Sequence, residues 1–299
     1  MKGINFHQIL VVSRHEIKNQ AQSFSYWMII VWPLVIGFIC FRMGDQTTIV
    51  SGSSDVLKSS VMVGMLMPMI IFMLCLSYVL ILANSVAQDK TNKISEILMV
   101  MVDAREQLIG KIVAVYALLI FQLVLYVVFF LSSGMDSSLL ADVMPLYWIY
   151  IVIDFFVTIF IALIWTTEIA SYVTDETQVA MATAPVMLLI GTGTLVATLL
   201  NEPNYFGNGV TPIRIFGDVV FVFPPIGSML MPTLLAQNSV SYFEAFLNLF
   251  LELIVTFFIF KGSIKQYRKG LISQKNGNPF LQVLSGEKPS LGKEDKHEY

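Results

Sequence analysis

Long apolar runs separated by shorter polar intervals dominate the chain. A helix needs about 20 predominantly apolar residues to cross the hydrocarbon core of a bilayer. The pattern therefore predicts an all-α polytopic membrane protein with six transmembrane helices, and the even number places both termini on one side. The predicted spans are residues 24–41, 61–83, 112–131, 146–165, 179–200 and 243–260, within a transmembrane domain of residues 24–265.

Three prolines lie inside predicted spans, namely Pro33, Pro68 and Pro185. A proline lacks the backbone N–H, so the carbonyl four residues earlier loses its helical partner. In a membrane bundle, neighbouring helices can supply the missing donor. We therefore predict kinks at these positions, and not the ends of spans.

Residues 1–23 precede the first span and are too polar for a cleavable signal peptide, with Arg14, Glu16 and Lys18 near their middle. Apolar positions such as Leu10 and Ile17 give a loose amphipathic pattern. This pattern predicts a cytoplasmic helix lying at the membrane interface. Such a helix either contacts a soluble partner or serves only as an anchor, and both alternatives stay open.

Residues 201–242 are the predicted external segment before the last span. Part of it is too apolar for solvent, yet Pro224, Pro225 and Pro232 divide it into pieces too short to cross. Irregular backbone at membrane depth must be covered by protein. We predict a re-entrant or interfacial element here, with a membrane-surface hairpin as the alternative.

Composition and charge support the membrane assignment and set its orientation. Of 299 residues, 56% are hydrophobic and 13% are charged, and the mean hydropathy is +0.73, which excludes an ordinary soluble domain. With both termini inside, fifteen of the 18 lysines and arginines lie on the cytoplasmic side. The tail, residues 266–299, is predicted to be cytoplasmic and largely disordered.

The polar interval of residues 84–111 separates two long apolar runs and holds four acids and four bases. Within it, four apolar residues at helical spacing fall on one face of a short helix, namely Ile94, Ile97, Leu98 and Met101. Asp103 and Glu106 have the spacing of a capping box, which predicts that a new helix starts at Ala104. The interval is either a solvated loop or a docking helix for a soluble partner.

Two acids lie deep within predicted spans, Asp154 in the fourth and Glu252 in the sixth. They share a depth, and Gln122 and Asn248 are polar groups that can hydrogen-bond with them. Ionised groups are costly in a bilayer, so such residues are candidates for a translocation pathway. Either they bind a cation or proton on that pathway, or they are structural acids that are protonated or face water.

Several kinds of chemistry have no motif in this sequence. Gly110-Lys111 lacks the other residues of a phosphate-binding loop, and the histidines are too scattered for a metal site. Cys40 and Cys75 lie in apolar runs, which implies no disulfide framework. We therefore expect no enzymatic activity, no metal, no nucleic-acid partner and no cofactor in this chain itself.

The polar interval contains a run of short motifs, namely Asp89-Lys90-Thr91, Lys93, Glu96-Ile97-Leu98 and Gln107 to Lys111. This run resembles the signature loop of the type-2 ABC exporter permeases. It is closest to the sodium-exporter-like branch, although the large extracellular insert usual there is missing. Gln178 and Pro185, and the Pro-rich stretch of residues 221–234, add to the resemblance.

The resemblance implies the transmembrane permease subunit of an ATP-driven exporter in the plasma membrane. Its partners would be a cytoplasmic ABC ATPase that binds ATP and Mg, a second permease chain in a homo- or heterodimer, and membrane lipid. Alternatives are a proton-coupled secondary transporter and a non-transport immunity or sensor component. The implied ATPase-coupling residues are Asp89, Lys90, Thr91, Glu96, Leu98, Gly110 and Lys111. An external gate would include Pro224, Pro225 and Pro232.

Overall fold

A computed structural model describes residues 5–47, 59–92, 101–132, 145–173, 175–200, 226–236 and 240–272. Within these ranges the chain forms eight α-helices and one 3-10 turn, Glu176–Gln178, and no β-strand. The helices are α1 (Phe6–Ala21), α2 (Phe24–Thr47), α3 (Ser59–Thr91), α4 (Ala104–Ser132), α5 (Pro145–Ala170), α6 (Val179–Leu200), α7 (Ile226–Ala236) and α8 (Tyr242–Ile272).

Five helices are long and apolar enough to cross a bilayer, and they are α3, α4, α5, α6 and α8. They coincide with the second to the sixth predicted spans. The first predicted span falls on α2, but its apolar part with described side chains, Phe24–Val35, is shorter than a crossing. The all-helical fold agrees with the prediction, whereas the structure supports five of the six predicted spans.

Helix α8 extends beyond the predicted end of the last span. Residues 266–272, which the sequence assigns to a disordered tail, are its final turns. Tyr267, Gly270 and Leu271 are buried there. Packing against the bundle therefore explains why a polar sequence stays helical at this point. Residues 273–299 lie outside the described residues.

Helix α1 packs along α4, which is the most extensive helix–helix contact in the described part of the chain. Its buried face carries Ile9, Ser13 and Glu16. At Gly110 the two backbones come so close that an added Cβ would lie 2.8 Å from Val12 Cβ and 3.1 Å from Ile9 O. Glycine at position 110 therefore permits the crossing of these two helices.

Helix α3 occupies the centre of the bundle and packs against α5, α6 and α7. Helix α7 is almost completely buried. Its 11 residues span only about 16 Å at 1.5 Å per residue, too little for a crossing. It is the part of the predicted external segment that the structure describes. Pro232 lies in α7, while Pro224 and Pro225 lie outside the described residues.

Two of the intramembrane prolines receive help from neighbouring helices. Pro68 leaves the carbonyl of Gly64 without its helical donor, and the Thr233 hydroxyl of α7 donates to that carbonyl at 2.7 Å. Pro33 likewise leaves the carbonyl of Ile29 without its helical donor, and that carbonyl accepts a hydrogen bond from the Tyr126 hydroxyl at 3.4 Å. The prediction that these prolines lie within helices is confirmed, and the freed carbonyls become contacts between helices.

Candidate functional site

Two clusters of buried ionisable side chains lie in the described part of the bundle. The first, the Lys111 cluster, consists of Glu16, Ser85, Asp89 and Lys111, where α3 ends and α4 begins. The second, the Asp154 cluster, consists of Tyr150, Asp154, Ser228 and Glu252, in the N-terminal halves of α5 and α8 and on α7. Both contain residues that the sequence singles out.

Lys111 lies at the centre of the first cluster and is 1% exposed. Its ammonium Nζ is 2.8 Å from Asp89 Oδ2 and 3.1 Å from Glu16 Oε2. It also donates to Ser85 Oγ at 2.5 Å. An ammonium group has three N–H donors, and each has a partner here. The cluster thus joins α1, α3 and α4 without leaving this buried cation unpaired.

Sequence analysis identified Asp89 and Lys111 as coupling residues but gave no such role to Glu16 or Ser85. Burial raises the pKa of the Glu16 carboxyl group, but the Lys111 ammonium and hydrogen bonds from Ser85 and Gln20 outweigh burial and lower the pKa below its ordinary value. Glu16 is therefore a carboxylate at neutral pH. The available signal was an acid on the same helical face as Ile9 and Ser13, seven residues from Ile9.

Lys90, the neighbour of Asp89, contacts a different pair of helices. Its Nζ donates to the backbone carbonyl of Ser171 at 2.7 Å and to that of Gly270 at 2.9 Å. Ser171 follows the last residue of α5, and Gly270 lies in the last turn of α8. The final carbonyls of a helix lack intrahelical donors and carry partial negative charge. The Lys90 side chain therefore donates hydrogen bonds to carbonyl groups at the C-terminal ends of both α5 and α8.

Gly270 is required for this arrangement. A Cβ at this position would collide with the Ser171 side chain and would lie 2.9 Å from Tyr172 Cδ2. The glycine lets the last turn of α8 approach the end of α5 closely enough for one lysine to reach both carbonyls. Sequence analysis identified neither Ser171 nor Gly270, because backbone acceptors far along the chain leave no motif.

The remaining predicted coupling residues are less completely described. Thr91 is the last residue of α3, and its hydroxyl donates to Gln88 O at 3.2 Å. Glu96 and Leu98 lie outside the described residues, as does the rest of the predicted apolar stripe except for Met101, which is exposed. Gly110 packs against α1, as described above.

The start of α4 agrees with the prediction that a helix begins at Ala104. Asp103 precedes it, and Gln107 N–H donates to Asp103 O at 3.1 Å. Glu106 Oε1 accepts from the backbone N–H of Asn5 at 3.4 Å, and Gln8 Nε2 donates to Met101 O at 3.2 Å. Two contacts therefore hold the beginning of α1 against the end of the predicted coupling interval.

Asp154 and Glu252, which share a depth in the predicted spans, lie close together in the structure. They are 0% and 3% exposed, and their carboxyl groups are close enough to interact electrostatically. Tyr150 Oη donates to Asp154 Oδ1 at 3.4 Å, and the Ser228 hydroxyl donates to Glu252 Oε1. Asp154 Oδ2 and Glu252 Oε2 have no hydrogen-bond partner among the described residues.

The other two predicted pathway residues differ from each other. Asn248 is buried one helical turn before Glu252 on α8. Gln122, in contrast, belongs to a separate group: Tyr78 Oη donates to Gln122 Oε1 at 2.5 Å, and Gln122 Nε2 donates to Tyr126 Oη. Its side chain therefore links α4 to α3, and we do not place it with the acid pair.

Helix α7 contributes to the Asp154 cluster from the side. Ser228 contacts Glu252, and the Pro232 carbonyl accepts a hydrogen bond from Tyr147 Oη at 3.1 Å. Tyr147, Tyr150 and Ile151 of α5 form a small apolar core with α7 and α8. Within the described ranges, no three His, Cys, Asp or Glu side chains gather as metal ligands.

The long apolar helices define a polytopic integral membrane protein. Residues 45–264 match the family described as ABC-2 family transporter protein, and the chain belongs to this family. A comparison with curated proteins finds no match. Members of the family are transmembrane components of ABC transporters. These components work in general with an ABC ATPase and are not themselves catalytic. The matched residues include both acids and both lysines, but neither Glu16 nor Gly270.

Proposed function

We propose that the chain is the permease subunit of an ABC exporter, which moves substrate outward with ATP hydrolysed by a separate ATPase subunit. The observation that carries this proposal, beyond family membership, is the Lys111 cluster. It fixes the base of the predicted coupling interval, at Asp89 and Lys111, to α1, α3 and α4. A segment that transmits force needs such a rigid base, whereas a solvated loop does not.

In the proposed orientation, both termini and the Lys111 cluster lie on the cytoplasmic side of the plasma membrane. The ATPase binds the interval of residues 84–111, and a second permease chain, identical or different, completes the pathway. Closure of the ATPase dimer displaces the coupling segment, and the spans tilt from an inward-open to an outward-open arrangement. The contacts of Asn5 and Gln8 near the end of the interval support a role for α1 beside it.

We further propose that the Asp154 cluster is a polar station on the pathway. Two buried acids with unpaired oxygens, and no lysine or arginine bound to them in the described residues, suit a cationic substrate. A sodium ion, as in the exporter branch that the sequence resembles, or an organic cation has the required charge. An uncharged amphiphile would depend on apolar contacts instead.

The proposal is tested by purifying the chain from native membranes in mild detergent and identifying what remains bound. An ABC ATPase is expected in the preparation, with ATP hydrolysis that responds to the permease. A Glu96→Ala, Leu98→Ala double variant should insert normally but lose this response and export. Purification of the parent chain without any ATPase, or unchanged export by the double variant, would contradict the proposal.

The acid pair also favours one competing function, a proton-coupled secondary transporter. In that case Asp154 and Glu252 would carry protons and no ATPase would be needed. Transport that survives depletion of ATP but stops when a protonophore collapses the proton gradient would identify this alternative. Transport that stops with ATP depletion while the gradient persists identifies the ABC exporter.

A further inference from the structure

Asp89 and Lys90 are adjacent on the last turn of α3 but contact different helices. Consecutive residues of an α-helix point about 100° apart. Asp89 therefore pairs with Lys111 at 2.8 Å, while Lys90 reaches the carbonyls of Ser171 and Gly270. Helix α3 ends at Thr91, and residues 92–103 of the predicted coupling interval follow it. We call residues 92–103 the coupling segment. A displacement of the coupling segment is transmitted first to Asp89 and Lys90.

Lys90 contacts the C-terminal ends of the two helices that also carry the buried acids. Asp154 and Ser171 are 17 residues apart on or just beyond α5, which is about 26 Å of helix. Glu252 and Gly270 are 18 residues apart on α8, which is about 27 Å. A rigid helix carries a movement of one end to the other, so Lys90 is mechanically connected to the Asp154 cluster.

Other bonds make the ends of α5 and α8 a single unit. Ser263 Oγ donates to Glu168 Oε2 at 2.5 Å, and Tyr172 Oη donates to Gln266 Oε1 at 3.2 Å. Helix α7, which supplies Ser228 to the Asp154 cluster, is bonded both to α5, through Tyr147 and Pro232, and to α3, through Thr233 and Gly64. Because α3 also holds α7, a movement of α5 and α8 relative to α3 changes the position of the acids relative to Ser228.

We propose that Lys90 is a positioning residue that links the coupling segment to the α5–α8 pair and thereby sets the geometry of the Asp154 cluster. The inference rests on the proposed function and deepens it. The family signature implies that Lys90 takes part in ATPase coupling. The structure assigns it an internal contact with two helix ends, in place of a surface contact with the ATPase. Asp89 instead pairs with Lys111 of α4, which also pairs with Glu16 of α1, so Asp89 belongs to a separate contact with α1 and α4.

The test uses the complex of the chain with its ATPase in lipid nanodiscs. Spin labels replace Leu146 at the start of α5 and Leu199 near the end of α6, both of which are exposed. Electron–electron resonance measures the distance between them with and without a non-hydrolysable ATP analogue. In the parent, the analogue should change the distance. In a Lys90→Met variant that still binds the ATPase the change should be lost, and loss of ATPase binding in this variant would overturn the inference.

Matched variants separate positioning from a loss of folding. Lys90→Arg keeps a cationic donor and should restore the distance change at least in part. Lys261→Met removes an exposed lysine of α8 that lies over the Phe257 ring, and it should behave as the parent. Gly270→Ala should weaken the change as Lys90→Met does, because the added methyl group forces α8 away from Ser171.

A full distance change in Lys90→Met would overturn the inference and leave the proposed function intact. A parent complex that binds no ATPase would instead overturn the proposed function. Loss of the change in Lys90→Met, with rescue by Lys90→Arg and normal behaviour of Lys261→Met, would support the inference. If Lys90→Met does not fold, Gly270→Ala decides, and a full change in that variant overturns the inference.

Discussion

The Lys111 cluster and the Asp154 cluster both bury ionisable side chains in the same bundle, but these side chains have different partners. In the first, one ammonium group meets two carboxylates and a hydroxyl. In the second, two carboxyl groups meet only hydroxyl donors, and each keeps one oxygen without a described partner. A charge network with every donor paired holds helices in place. An acid pair with free oxygens has capacity left for a ligand or a proton.

The largest expected effect comes from breaking the paired cluster. Lys111→Met leaves Glu16 and Asp89 facing each other in a buried site without a cation. Removing one partner of a buried ion pair typically costs about 3–5 kcal/mol. We expect poor insertion or a much lower midpoint of thermal unfolding in detergent. Lys261→Met is the control, and an unchanged midpoint in Lys111→Met would show that the cluster does not support the fold.

The second prediction is that removing an acid from the Asp154 cluster, unlike Lys111→Met, does not lower the midpoint of thermal unfolding. Asp154→Asn removes one of two neighbouring acids, so repulsion falls, and the unfolding midpoint should stay the same or rise. Export of a cation should drop by about tenfold or more, as expected for losing a charge-assisted contact. Export of a hydrophobic drug should change little, since apolar contacts dominate its binding.

Sodium and drug efflux from membrane vesicles, measured side by side, provide the readout for the acid pair. Glu252→Gln is the companion variant, and Ser228→Ala tests the hydroxyl that contacts it. If Asp154→Asn unfolds as readily as Lys111→Met, the contrast between the two clusters disappears. Full export of every substrate by both acid variants would make these residues structural acids.

The third prediction concerns how α1 is held beside the paired cluster. Gly110→Ala places a methyl group 2.8 Å from Val12 Cβ and 3.1 Å from a backbone oxygen, so α1 must shift. Overpacking of this kind costs about 1–3 kcal/mol. Gly262→Ala is the matched control, because nothing lies within 4 Å of its added methyl group and alanine favours helix. Equal unfolding midpoints in the two variants would contradict a close α1–α4 crossing.

The smallest effect is a pH dependence that belongs to Glu16. Its folded-state pKa lies below the ordinary value, so its contribution to stability is present above the unfolded-state pKa and is lost as the pH falls through the folded-state pKa. The unfolding midpoint should decline below about pH 4. Glu16→Gln should reduce that decline, and an identical pH profile in the variant would exclude Glu16 as its source.

The sequence predicts most of the helices because hydropathy is a local property. Five of the predicted spans and the start of α4 at Ala104 agree with the structure. The sequence places Asp154 and Glu252 at a common depth, but only the packing of α5 against α8 brings the two side chains together. Gln122 shows the same limit: depth does not determine which way a side chain points around its helix, and Gln122 bonds to Tyr78 of α3.

The partners of the two lysines show a second limit. Glu16 lies 95 residues from Lys111, and Gly270 lies 180 residues from Lys90. The acceptors of Lys90 are backbone carbonyls, which every residue has, so no residue type marks them. Only the packing of α5 and α8 makes these carbonyls available. The family signature within residues 89–111 identifies Lys90 and Lys111, but it does not identify the groups that these two lysines contact.

The hydrogen bond from Thr233 to Gly64 has a consequence for biogenesis. The two residues are 169 positions apart, so a ribosome needs on the order of ten seconds to make Thr233 after Gly64. During that interval, the carbonyl freed by Pro68 does not yet have its final donor. The joint between α3 and α7 can close only after most of the chain has been inserted. Truncated nascent chains that end before α7 should therefore hold α3 less firmly than the complete chain does.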